Sequence, residues 1–172
     1  MRTAKEIAVV SLFTALLIGG QFVFSFVAGV EIVTPLLLCF CYSFGARRGM
    51  LTATAFSGLR CIIFGFFPTA VILYLVYYNL FAVVFGLLGR KLKGEESLYA
   101  NILVTVFAVL MTCLFTLLDD IITPLFYQMS IEAAVAYFYA SLPVMTVQAV
   151  CALISVFLLF RPLIAVFKKI TV

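Results

Sequence analysis

Apolar stretches of roughly 20 residues, each enough to cross a hydrocarbon layer about 30 Å thick, can be laid out along almost the whole of this 172-residue chain. No other feature constrains the fold as hard. With 66% hydrophobic and 10% charged residues, a chain this small has too little polar surface to cover a water-soluble core. The sequence therefore predicts an all-α integral membrane protein, one domain over residues 1–172 forming a bundle of six transmembrane helices.

The spans run from about Ile7 to Val27, Pro35 to Phe44, Met50 to Phe66, Ala70 to Leu88, Leu98 to Leu118 and Pro143 to Val166. The second is short. Between Glu31 and Gly45 it offers 13 uncharged residues, about 20 Å of helix, so it begins in the preceding loop, sits in a thinned or protein-buried place, or re-enters without crossing. The opening "MRTAKEIAVVSLFTALLIGG" has the basic start of a secretory signal, but its apolar part is too long and "FVAGVE" makes a poor cleavage site. A retained span is expected.

Basic residues set the orientation. Arg2 and Lys5 precede the first span, Arg47 and Arg48 join the second to the third, Arg90, Lys91 and Lys93 follow the fourth, and Arg161, Lys168 and Lys169 close the sixth. With both termini cytoplasmic, ten of the eleven basic residues fall inside, as the positive-inside rule requires. Arg60 is the exception.

The segment "MSIEAAVAYFYASLP" has Ser130 where an N-cap belongs and Glu132 in the first turn. It reads as a short helix on the outer face, about 131–141, either a lid over a cavity or an early start to a sixth helix kinked at Pro143.

Most catalytic constellations are absent. There is no histidine, which excludes a His-based triad or proton shuttle, and no GxxxxGK[ST], which excludes ATP hydrolysis by a P-loop. Cys39, Cys41, Cys61, Cys113 and Cys151 lie within spans without CxxC spacing and read as small hydrophobes. No cofactor or metal site is expected. Asp119 and Asp120 in "LLDDIIT" are similar to the acidic pairs that hold magnesium in membrane prenyl and phosphoalcohol transferases, yet no second acidic cluster stands at a matching spacing.

What remains is a set of polar groups at membrane depth: Gln21 in the outer third of the first span, Arg60 near the middle of the third, Asn79 near the middle of the fourth and Gln148 below the outer end of the sixth. An ionised side chain at a span's centre costs at least roughly 2.5 to 3.5 kcal/mol on insertion scales, so it faces a partner or a wet cavity. Four such residues on four helices suggest one shared cavity, with Tyr74 and Tyr78 on its wall or in an interfacial belt and Glu31 and Asp120 at its outer rim. The alternative is that each polar group bonds a neighbouring helix and does nothing else. The first helix adds a stripe of small residues, Ala4, Ala8, Ser11, Ala15 and Gly19, whose spacing lets another helix approach closely, inside the bundle or from outside.

These features resemble the substrate-binding S component of energy-coupling factor (ECF) vitamin transporters: six short helices in under 200 residues, a small-residue stripe on the first, and a basic tail after the last. The closest motif is "LPVMTVQAVCALISVFLLFRPL", Leu142 to Leu163, where Pro143 and Arg161-Pro162-Leu163 match the family's last helix. At the family's Asp, His and Asn positions this chain has Met145, Gln148 and Ala152. "FGARRGMLTATAFSGLRCIIFGFFP" is similar to the family's second-to-third helix connection.

The resemblance implies a subunit of the bacterial plasma membrane that captures a micronutrient from outside in a pocket in its outer half. It would deliver the ligand while docked on a transmembrane coupling protein driven by two cytoplasmic ATPases, with Ala8, Ser11, Ala15 and Gly19 as the docking face. Arg60 would pair with an anionic group of the ligand, as in pantothenate, biotin or nicotinate, with a cobamide or thiamine precursor left open, and Asn79, Gln148 and Gln21 would supply hydrogen bonds. Two other classes stay open: a membrane enzyme using Asp119, Asp120 and magnesium on a lipid phosphate, and a structural subunit with no ligand.

Overall fold

The computed structural model describes residues 4–24, 32–95 and 97–171. Over these residues the chain is all-helical: α1 (Ala4–Phe24), α2 (Val33–Phe44), α3 (Ala46–Phe64), α4 (Pro68–Lys91), α5 (Leu98–Phe126) and α6 (Ile131–Thr171). Four of these helices, α1, α4, α5 and α6, are long and apolar enough to cross a membrane. α3 is not among them because Arg47, Arg48 and Arg60 all fall within its 19 residues.

The short α2 sits in the middle of the bundle. It packs on α1, α3, α4 and α6, and nine of its twelve residues are buried. Phe13 of α1 stacks on Phe40 with ring centroids 4.2 Å apart, and Tyr42 meets Phe160 of α6 edge-on at 5.1 Å. Its twelve residues, about 18 Å long, are enclosed by longer helices rather than by lipid. A protein-buried element of that length creates no hydrophobic mismatch.

One residue reverses the chain between α2 and α3. Gly45 has φ 84° and ψ 166°, a region open essentially to glycine alone. Its N–H donates to Cys41 O at 2.9 Å, and its own carbonyl accepts from Gly49 N at 3.1 Å. Gly86 and Gly89 on α4 then let that helix touch the turn, since a Cβ on Gly86 would collide with the backbone of Ala46 and one on Gly89 with the carbonyl of Tyr42. Backbone cannot yield as a flexible side chain can. Gly89→Ala is expected to lose about 1 to 3 kcal/mol of stability through overpacking, read as a fall in Tm of the detergent-solubilised protein. Gly19→Ala, whose added Cβ meets nothing within 4 Å, is expected to be neutral or slightly stabilising.

Element boundaries depart from the sequence expectation in three places. α3 begins directly after Gly45 and ends at Phe64, before Gly65 at φ 108°, rather than spanning Met50 to Phe66. α5 runs on past Leu118 to Phe126 with Pro124 inside it. Residues 131–141, read either as a lid helix or as an early start to the sixth helix, form the first part of α6, which continues through Pro143 and Pro162 for 41 residues. Ser130 does accept from Ala133 N at 3.3 Å, as an N-cap should. Near Pro143, Thr146 Oγ1 donates to Leu142 O at 2.9 Å, a bond added to the helix ladder rather than one that replaces the N–H that Pro143 lacks. α5 and α6 are thus about 43 and 61 Å long, well beyond a 30 Å hydrocarbon layer.

The two ends of the bundle differ in charge. The starts of α1 and α3 meet through the Arg48–Glu6 ion pair at 3.0 Å, the end of α2 meets the α4–α5 turn through Tyr42 OH donating to Glu95 O at 2.7 Å, and Phe44 meets Phe167 near the end of α6. Lys5, Arg47, Arg48, Arg90, Lys91, Lys93, Lys168 and Lys169 therefore share one end, called here the basic end. Arg60, Tyr74, Asp119 and Asp120 lie toward the other.

Candidate functional site

Arg60 lies one turn before the end of α3, not at the middle of a span. The difference follows from both helix ends: α3 starts at Ala46 and stops at Phe64, which leaves four residues beyond Arg60. Its guanidinium sits over the Tyr74 ring of α4, 3.9 Å from the centroid, with Phe64 at 5.6 Å. Stacking on a ring face stabilises a poorly hydrated cation by about 0.5 to 2 kcal/mol. No carboxylate among the described residues bridges to it. Its Nε is buried with no hydrogen-bond partner, and a buried donor left unpaired costs about 1 to 3 kcal/mol.

Tyr74 carries the arrangement onward. It stacks on Phe115 of α5 with centroids 5.7 Å apart. Phe115 in turn lines a cleft of about 250 Å³ between α5 and α6, together with Thr116, Asp119, Tyr137, Ser141 and Gln148. Thr116 Oγ1 bonds Gln148 Oε1 at 3.4 Å across this cleft. Asp119 accepts from Thr123 at 2.8 Å and from Tyr137 at 2.7 Å, and Asp120 accepts from Ser141 on Oδ2 at 2.8 Å while its Oδ1 is buried and unpaired. The cleft offers a carboxylate, an amide and hydroxyls, with aromatic faces leading toward the arginine.

The sequence-predicted residues do not all meet there. Gln148 lies on the cleft, and Arg60 and Tyr74 stand behind its aromatic wall. Tyr78 is buried in the core, edge-on to Phe56 at 5.2 Å. Asn79 accepts from Thr54 of α3 at 3.1 Å and donates to Leu75 O at 2.8 Å. It is therefore part of the α3–α4 contact rather than of the cleft, and the single cavity shared by helices one, three, four and six is replaced by one between α5 and α6. A double-mutant cycle of Thr54→Val and Asn79→Leu is expected to return a coupling of about 0.6 kcal/mol in thermal unfolding, typical of interhelical hydrogen bonds in membranes. Gln21 has its Oε1 buried without a partner. Glu31 lies outside the described residues.

Asn101 was not singled out by the sequence. It is buried on α5, donates to Phe157 O of α6 at 3.1 Å and sits beside the hydroxyl of Thr105. An amide inside an apolar span was the available signal, and its place near the start of α5 hid it among residues expected at a helix end.

The small stripe of α1 faces outward. Ala4, Ala8, Ser11, Ala15 and Gly19 are exposed, as are Leu12 and Leu16 beside them, whereas Phe13, Thr14 and Leu17 are buried on the opposite face. Next to the stripe a groove of about 240 Å³ runs between α1 and α3, lined by Ile7, Val10, Ser11, Arg47, Leu51, Ala55 and the Glu6–Arg48 pair.

Comparison with known proteins gives no match: no family model, no curated protein and no solved structure is similar to the chain.

Proposed function

We propose that this protein is the substrate-capture subunit of an ECF-type vitamin or micronutrient importer in the bacterial plasma membrane. The observation that carries the proposal is the convergence of polar and aromatic side chains from α3, α4, α5 and α6 at the end away from the basic residues, in a chain with no ATP-binding motif. With the basic end and both termini cytoplasmic, that convergence faces outside, where a nutrient is captured. An anionic group of the ligand pairs with the Arg60 guanidinium, reached past the Phe115 and Tyr74 rings. Donor groups face Asp119 and Gln148, and a ring lies against Phe115 or Tyr74.

The outward stripe of α1 supports the second half of the proposal. Small residues on an exposed face allow close helix approach, the main source of helix association where lipid gives no hydrophobic drive. Ala8, Ser11, Ala15 and Gly19 are the face for a coupling-protein helix, with the α1–α3 groove receiving its larger side chains.

The enzyme reading finds less support. It needs acidic ligands for magnesium, and among the described residues no group of three or more His, Cys, Asp or Glu is close enough to hold a metal ion. Both oxygens of Asp119 already accept from Tyr137 and Thr123.

The test is uptake of labelled vitamins by cells expressing this chain with, and without, a coupling protein and its two ATPases. Uptake that requires all partners is expected. Transport or turnover by the chain alone would overturn the proposal.

A further inference from the structure

We infer that the cleft at the basic end, between the α2–α3 turn and the end of α4, is a phosphate site, filled by the headgroup of an anionic phospholipid or by a small phosphate compound. The inference is independent of the uptake reading and of the opposite cleft.

The cleft measures about 590 Å³ and is lined by Ser43, Gly45, Arg47, Gly86, Arg90 and Lys93, among others. Three cations reach it from three segments: Arg47 from the first turn of α3, Arg90 from the last turn of α4, and Lys93 from the turn that follows. No carboxylate lines it. Among the described residues none of the three forms an ion pair; the one salt bridge nearby is Arg48 with Glu6, in the α1–α3 groove that Arg47 also lines, and there Glu6 is taken by Arg48 at 3.0 Å.

The convergence is built into the backbone. Gly86 and Gly89 bring α4 against Ala46 and Tyr42, which sets the end of α4 beside the start of α3. Gly45 caps α3 without a side chain, so no side-chain oxygen satisfies the N–H groups of its first turn, which have no acceptor within the helix.

Orientation for topology accounts for basic residues at this end in general, and the negative end of α4 accounts for Arg90. Neither accounts for Arg47, a cation at the positive end of α3, where the helix field opposes it. A phosphate beside the first turn of α3 would be favoured by the positive end of that helix and would offset the unfavourable placement of Arg47. It would take charge-assisted bonds from Arg47, Arg90 and Lys93 at the depth where a headgroup lies when α4 crosses the bilayer.

The experiment uses the full-length protein in detergent, with native mass spectrometry counting bound phosphatidylglycerol against phosphatidylcholine, and with phosphorus NMR line-broadening reporting inorganic phosphate. Phosphatidylglycerol retention with no effect of inorganic phosphate identifies a lipid headgroup, and broadening of the phosphate line identifies a small phosphate. In either case Arg47→Gln/Arg90→Gln is expected to weaken binding on the order of thirtyfold, while Lys168→Gln/Lys169→Gln, which removes two charges from the same end outside the cleft, leaves it unchanged. Lys93→Gln, expected to lose roughly fivefold, replaces the double variant if that does not fold. The inference is overturned if the protein prefers neither ligand, if the cleft variants bind as the wild type does, or if the control pair loses as much.

Discussion

Ala15→Trp is expected to abolish vitamin uptake by the assembled transporter while leaving capture of the vitamin by the isolated subunit within twofold of wild type. Ala15 is exposed at the centre of the α1 stripe, so an indole there costs the folded subunit little. It would instead hold an incoming helix several ångströms away, beyond the range of the close packing that drives association in lipid. Ala8→Trp is expected to act in the same way. Leu12→Trp, which exchanges one large exposed side chain for another, is expected to be far milder. Uptake and ligand binding measured side by side separate the two roles. A loss of both in Ala15→Trp would place the stripe in the fold rather than in docking.

Arg60→Ala is expected to weaken ligand affinity by roughly 10- to 150-fold, the loss of one charge-assisted hydrogen bond or ion pair worth about 1.5 to 3 kcal/mol. Arg60→Lys keeps the charge but not the flat guanidinium that stacks on Tyr74 at 3.9 Å, and an ammonium is a poorer substitute at a stacked site. An intermediate loss is expected for it. Equilibrium titration of the purified variants with the captured ligand reads both values, and an unchanged Kd in Arg60→Ala would mean that the guanidinium serves only the α3–α4 contact. Gln148→Leu provides an independent check from the α6 wall of the cleft. It removes an amide paired with Thr116, so affinity is expected to fall although no charge changes.

Hydropathy made the helices legible, because a backbone in lipid must bond within its own segment and an apolar run of sufficient length has few other options. It did not make their ends legible. Arg47 and Arg48 were placed in a loop because they interrupt an apolar run, whereas Gly45 reverses the chain in one residue and puts both in the first turn of α3. That shift, with the helix ending at Phe64 rather than Phe66, moves Arg60 from mid-span to one turn from the helix end. Proline was ambiguous for a physical reason, since Pro143 is compatible with both a helix start and a helix interior. The structure has it in the interior of α6.

The candidate site was legible as a set of residue types but not as a set of neighbours. Depth along the spans grouped Gln21, Arg60, Asn79 and Gln148 as one set. Rotation about the helix axes, which no hydropathy pattern fixes when a helix is apolar all round, separated them. Asn79 turned out to face Thr54, and Tyr78 the core. Rotation also decided the α1 stripe. Its spacing served an internal or an external contact equally, and the burial of Phe13, Thr14 and Leu17 on the other face leaves the stripe outward.

The most direct measurement of ligand capture is thermal unfolding of the purified, partner-free chain against a panel of vitamins with and without a carboxylate. A ligand that binds only the folded state adds about 2.7 kcal/mol at a hundredfold excess over its Kd, so at least one carboxylate-bearing vitamin is expected to raise Tm by several degrees, and Arg60→Ala to remove most of that rise. A Tm that no vitamin moves, in a protein that unfolds cooperatively, would contradict capture by this chain.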